Sequence, residues 1–158
     1  PDHIGRAAGK RSWGDKSPRY YLKNNNLISS GFFSDFPYKI VMKLRKNFRS
    51  SKVLNIFYKV DSINSKDIQI FLKILLEIEK KVKQKFYDSE FVYILWDDMK
   101  NKDNDLNNFF STRKKINIKD LNIKEEYIKN SIVGDNHPTK EFNVILANNI
   151  KKIFEKKK

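Results

Sequence analysis

An aspartate and a histidine stand two residues apart in the segment 134–139 (GDNHPT), near the end of the chain. Side chains at this spacing leave the same face of an extended backbone, with their Cα atoms roughly 7 Å apart, so the Asp135 carboxylate could hold the His137 imidazole by one nitrogen. A carboxylate placed in this way fixes the imidazole tautomer and stabilises the imidazolium that forms when the histidine takes a proton from a nucleophile. The alternative is that Asp135 caps a turn and His137 is an ordinary loop histidine.

The two residues after the histidine predict where a helix begins. Pro138 biases His137 away from helical geometry and toward extended backbone. Thr139 is a suitable helix N-cap, so we predict a helix that begins just after the histidine. The positive end of its dipole would then point back toward the Asp-His segment.

The spacing of apolar residues predicts the elements that position this segment. Helical spacing predicts helices over 37–48, 51–60, 65–86, 106–110 and 139–154. The continuous apolar run 91–96 (FVYILW) predicts a strand buried on both faces of a parallel sheet, and 115–118 predicts a shorter strand. Residues 1–34 hold four of the five glycines and are expected to be rich in loops. The order helix, strand, short helix, strand, helix indicates a three-layer α/β fold.

The segment 134–139 and the helix predicted after it, with Ala147 ten residues beyond the histidine, resemble the final signature block of the SGNH/GDSL serine hydrolases. In that block an aspartate, one or two further residues and a His-Pro pair precede a helix that carries an alanine. The resemblance implies a flavodoxin-like α/β/α sandwich with a parallel sheet. It also implies hydrolysis of carboxylic esters by a Ser-His-Asp triad, in which Asp135 orients the histidine and His137 is the general base.

Other segments are similar to parts of the same family. Residues 1–7 (PDHIGRA) resemble the loop after the strand of the third signature block, and 91–96 resembles the strand that precedes the triad loop. Residues 17–22, with Gly-Phe-Phe at 31–33, are similar to an insertion of some bacterial subfamilies. His3 stands near the place of the third-block asparagine and is a candidate donor to the oxyanion. The alternative for His3 is a loop histidine with a structural hydrogen bond.

The family's block with the nucleophilic serine has no counterpart in this chain. The early serines, which lack its Gly-Asp-Ser setting, are Ser12, Ser17, Ser29 and Ser30. We therefore expect the serine on preceding or separate polypeptide, and we expect this chain alone to be inactive. No cofactor or metal is expected, although His3, His137 and Asp135 could form a two-histidine-one-carboxylate metal set.

The resemblance implies that residues 1–158 are the C-terminal portion of one SGNH hydrolase-like domain. Within it, 1–35 would be a basic, loop-rich segment and 36–158 the core of helices and strands. Two strands do not make a stable open parallel sheet, so the sheet is expected to be incomplete in this chain. The expected partners are an ester substrate and the polypeptide that completes the domain.

Composition limits the other functions. The chain has no cysteine, which excludes disulfides, thiolate metal sites and a cysteine nucleophile. No apolar run approaches the roughly 18 residues of a membrane span. The net charge is +14, and residues 1–60 contribute +10 of it, from 13 Lys/Arg against 3 Asp/Glu. This basic half supports an alternative function, that of a non-catalytic α/β module that binds an acidic polymer such as nucleic acid.

Overall fold

The computed structural model describes residues 2–10, 16–51, 62–95, 103–132 and 137–155. Its helices are α1 (Asp2–Ala7), α2 (Tyr38–Ser50), α3 (Ser65–Lys85), α4 (Asn104–Ser111), a 3-10 helix (Ile118–Leu121), α5 (Lys124–Lys129) and α6 (Lys140–Glu155). Its strands are β1 (Pro18–Lys23), β2 (Asn26–Phe32), β3 (Tyr93–Leu95) and β4 (Lys115–Asn117). The chain is thus of the mixed α/β class, and it divides into two compact units, Pro1–Phe91 and Val92–Lys158. Of the helices just named, none combines the length and the apolar character needed to cross a membrane.

The first unit contains a β-hairpin that the sequence analysis did not predict. β1 and β2 pair antiparallel across a two-residue turn at Asn24 and Asn25, whose φ angles are +50° and +62°. Two positive φ values are typical of a type I′ hairpin turn, and asparagine adopts them more readily than most residues. The prediction of a loop-rich N-terminal segment is therefore wrong for its described part. The strands were missed because their residues are only half-buried or exposed, which leaves no apolar alternation to detect.

Helix α3 confirms the prediction for 65–86 and has a complete N-terminal capping box. The Asn64 side chain accepts a hydrogen bond from the backbone N–H of Asp67 at 3.0 Å, and the Asp67 carboxylate accepts one from the N–H of Asn64 at 2.8 Å. Asp67 is buried and forms an ion pair with Lys10, which follows α1. The same ammonium donates to the carbonyl oxygen of Ser62 at 2.7 Å, so α1 is tied to the start of α3.

Helix α2 confirms the prediction for 37–48, and two arginines attach it to the rest of the first unit. The Arg19 guanidinium stacks 3.4 Å from the centre of the Tyr38 ring, a cation–π contact. The Arg45 guanidinium donates to the carbonyl oxygen of Gly9 at 2.6 Å. Of the helix predicted over 51–60, all residues after Ser51 lie outside the described residues.

The second unit begins with a parallel βαβ arrangement, as predicted. β3 and β4 pair in parallel and α4 connects them, which confirms strands at 93–95 and 115–117. Tyr93 is buried between the rings of Phe109 and Phe110, at centroid distances of 5.7 and 5.4 Å. Ile94 on the opposite face is 50% exposed. The predicted burial of this strand on both faces is therefore wrong for the part of the chain that the structure describes, where Tyr93 is covered and Ile94 is not.

A second cluster of the same unit surrounds the start of α6. Phe142 is fully buried, and it packs with Ile118 and Ile123. The ring of Tyr127 in α5 contacts Phe142 edge-on, with centroids 5.2 Å apart. The helix predicted over 139–154 is confirmed as α6, and this packing fixes its N-terminal turn against α5.

Candidate active site

His137 lies three residues before α6, and a side-chain cap defines the start of that helix. The Thr139 hydroxyl accepts a hydrogen bond from the backbone N–H of Phe142 at 3.4 Å. A cap of this kind gives an acceptor to one of the N–H groups in the first turn, which have no acceptor within the helix. The predicted N-cap at Thr139 is confirmed, and the positive end of the helix dipole lies next to the segment that contains His137.

Antiparallel pairing fixes the backbone at His137 and the two residues after it. The N–H of Ile132 donates to the carbonyl oxygen of His137 at 2.9 Å, and the N–H of Thr139 donates to the carbonyl oxygen of Asn130 at 2.9 Å. An isolated antiparallel bridge lies between these two bonds. Because Asn130 directly follows α5, the backbone at His137 is held by α5 and α6 together.

The His137 side chain is exposed, so a group from outside this unit can reach it. An imidazole at this place can accept a proton from a hydroxyl and return it to a leaving group. Asp135, its predicted orienting carboxylate, lies outside the described residues. The hydrogen bond between the two therefore stays a prediction.

Glu141 is the carboxylate that the first turn of α6 presents to solvent. A hydrogen bond from its own backbone N–H lowers the pKa of Glu141 below its ordinary value, and a bond from the Thr139 hydroxyl lowers it further. This carboxylate is therefore ionised at neutral pH and complements the helix dipole. Thr139 takes part in both interactions of the first turn, with Phe142 and with Glu141.

His3, the candidate oxyanion donor, occupies a different local structure from the one expected. Residues 1–7 were expected to form a loop, but α1 covers Asp2–Ala7. His3 is exposed, whereas its neighbour Ile4 is buried. The expectation of a loop is wrong, because Ile4 provides an apolar contact that a short helix can bury. The role of His3 toward an oxyanion stays a prediction.

The backbone of Ser131 pairs with the segment that contains His137, and the sequence analysis did not consider this serine. It forms the antiparallel bridge with Pro138. Its hydroxyl donates to the carbonyl oxygen of Tyr127, one turn earlier in α5. A nucleophilic serine would donate to its general base, so Ser131 is a structural residue that ends α5. Its position was not predicted because α5 itself was missed.

No group of candidate metal ligands adjoins His137 in the described part of the chain. Among those residues, no three His, Cys, Asp or Glu side chains converge as metal ligands would. One open cavity of about 250 Å³ lies beside β4 and the last turn of α6. Its lining consists of Lys114, Lys115, Ile116, Asn117, Asp120, Leu121, Ile153 and Phe154. At 1.5 Å per residue, the last turn of α6 is about 20 Å from its first, so this cavity is separate from His137.

Comparisons with known proteins do not identify a relative. No protein-family model, curated protein or solved structure gives a significant match to this chain.

Proposed function

We propose that this chain supplies Asp135 and His137 to the Ser-His-Asp triad of an SGNH-type carboxylic ester hydrolase. The nucleophilic serine would lie on polypeptide outside these 158 residues. The observation that carries the proposal is the exposed His137, which backbone pairing holds directly before the capped start of α6. In the family that the sequence resembles, the catalytic histidine likewise precedes the last helix.

In this proposal His137 moves one proton in each half-reaction. It takes the proton from the serine hydroxyl as the oxygen attacks the ester carbonyl, and it gives that proton to the departing alcohol. In the second half it takes a proton from water, which attacks the acyl-enzyme, and returns it to the serine. Asp135 would hold the imidazole in the tautomer that accepts the proton and would stabilise the imidazolium.

The proposed domain is a flavodoxin-like α/β/α sandwich, of which this chain forms a part. The parallel β3–α4–β4 arrangement is the building block of such a sheet, and active-site residues of open parallel sheets gather at the carboxyl ends of the strands. The remaining strands would come from the polypeptide that also carries the serine.

A fluorophosphonate probe, which labels serines activated by a general base, tests the proposal. We expect no labelling of the 158-residue chain. The intact product of its gene, purified with any polypeptide that accompanies it, should be labelled and should hydrolyse short-chain p-nitrophenyl esters. His137→Ala should abolish both labelling and hydrolysis. Labelling of the isolated chain would place the nucleophile among these residues, and an intact product that neither labels nor hydrolyses esters would refute the function.

The alternative function, a basic module for an acidic polymer, depends on where the positive charge lies. The exposed lysines Lys39, Lys43 and Lys46 are spaced along one side of α2. Because the same helix also exposes apolar residues, its lysines favour an anionic partner other than nucleic acid.

A further inference from the structure

Helix α2 exposes an apolar stripe that the described residues of the first unit do not cover. Ile40, Val41 and Leu44 are 51%, 39% and 50% exposed, although each is a large aliphatic residue. At about 100° per residue, these positions fall on one side of the helix. Phe36, just before the helix, is 82% exposed as well. Clustered aliphatic and aromatic exposure of this kind indicates an interaction surface.

The rest of α2 is basic and contains no acidic residue. Its sequence, YKIVMKLRKNFRS, has five Lys and Arg residues and neither Asp nor Glu. Lys39, Lys43 and Lys46 are exposed and recur at the spacing of one helix face. Tyr38 and Arg45 make the contacts with Arg19 and Gly9 that attach the helix. At about 100° per residue, Tyr38 and Arg45 lie more than 90° around the helix from Ile40 and Leu44, whereas Lys43 borders the stripe beside Ile40.

We propose that α2 is a docking helix for an anionic lipid bilayer surface. An amphipathic helix with basic residues on one side and exposed Ile, Val and Leu on the other lies in the plane of the bilayer interface. Its apolar side is then among the acyl chains, and its lysines reach the anionic headgroups. The binding strength comes from the buried apolar area and from the attraction between lysines and acidic lipids.

The combination of charge and apolar exposure favours lipid over the other anionic or apolar partners. A nucleic acid would satisfy the lysines, but its phosphates give the aliphatic stripe no partner, and base stacking requires aromatic rather than aliphatic side chains. A second copy of α2 would bring two helices together that both carry only positive charge. An anionic bilayer offers acyl chains and negative headgroups at one surface.

Vesicle flotation with the full 158-residue chain tests this proposal. We expect binding to vesicles of phosphatidylglycerol and phosphatidylcholine, no binding to phosphatidylcholine alone, and weaker binding at high salt. The triple variant Lys39→Gln/Lys43→Gln/Lys46→Gln should bind about 100-fold more weakly, because each lysine near an anionic surface contributes to the attraction. The matched control on α3 has the same change of charge: Lys66→Gln/Lys80→Gln/Lys81→Gln, at three exposed lysines, should lose at most a few-fold.

The apolar contribution is tested separately with Ile40→Gln/Leu44→Gln. Both side chains are half-exposed, so the variant should keep the circular dichroism spectrum and thermal midpoint of the parent, and vesicle binding should fall about tenfold or more. The absence of cysteine permits a second readout. An environment-sensitive dye on Leu44→Cys should shift to the blue on anionic vesicles, while the same dye on Lys66→Cys should not.

Three outcomes would overturn the proposal. The first is equal binding of the parent and the apolar variant to anionic vesicles. The second is tight binding to an oligonucleotide duplex that needs the α2 lysines, without vesicle binding. The third is a dimer in solution that dissociates in Ile40→Gln/Leu44→Gln, which would assign the stripe to a second copy of the chain.

Discussion

The backbone N–H of Thr139 donates to the carbonyl oxygen of Asn130, so the residue that caps α6 is also bonded to the end of α5. One residue thus connects both helices on either side of the segment that contains His137. The Thr139 hydroxyl caps α6, and the Thr139 backbone N–H forms the bond to the end of α5. These two roles can be separated, because a side-chain substitution removes only the first.

Replacing the cap should destabilise the second unit without unfolding it. We expect Thr139→Ala to lower the free energy of unfolding by about 1 kcal/mol, the usual cost of a lost N-cap oxygen. Thr139→Ser keeps a hydroxyl and should lose much less. Urea denaturation followed by circular dichroism measures both, and equal losses in the two variants would show that the hydroxyl is not the stabilising group.

The Glu141 carboxylate predicts a pH dependence of the same helix. Its pKa is lowered in the folded state, so its contribution to stability is present well above 4.5, its ordinary value. The contribution is lost as the pH falls through the lower folded-state value, because protonation removes the negative charge that strengthens the two hydrogen bonds to the carboxylate. Glu141→Gln should therefore be less stable than the parent at neutral pH and equally stable at strongly acid pH. A Glu125→Gln control in α5 separates this effect from a general change of charge; a pH-independent difference for Glu141→Gln would contradict the explanation.

The proposed Asp135–His137 hydrogen bond should be visible by proton NMR. The chain has two histidines, so few imidazole N–H signals are expected. A carboxylate that accepts from an imidazole N–H shifts that proton strongly downfield and slows its exchange with water. We expect one such signal, which should disappear in Asp135→Asn and in His137→Gln but remain in His3→Gln. Persistence of the signal in Asp135→Asn would remove Asp135 from the proposed triad.

The sequence predicted the elements with strong apolar periodicity and missed those held by local polar chemistry. α3, α4, α6 and the parallel pair β3–β4 were predictable because their apolar residues recur at the helical period or in a continuous run. The β1–β2 hairpin depends on two asparagines with positive φ, in strands that bury neither face completely.

The candidate site was predictable only in part. Pro138 and Thr139 indicated the start of α6 correctly. The backbone pairing that fixes His137 could not be predicted, because it depends on Asn130 and Ile132 at the end of a helix that has no buried residue. The ion pair between Lys10 and Asp67 could not be predicted either, because it joins residues far apart in the sequence. Because the chain has many lysines, the sequence alone does not indicate which of them pairs with a given carboxylate.

The open edge of β3 leads to the last prediction, which concerns how the sheet is completed. Within the described residues β3 pairs with β4 alone, and Ile94 remains 50% exposed on one face. Exposed strand edges favour association with further strands. We therefore expect the chain to associate with complementary polypeptide, or with itself where that is missing, and light scattering should give a mass above that of the monomer. Ile94→Lys places a charge on this face and should shift the chain toward the monomer, whereas Ile132→Lys, at a residue of similar exposure outside the strands, should not. A stable monomer in which both edges of β3 are paired by these 158 residues would show that the sheet is complete and that no further polypeptide is needed.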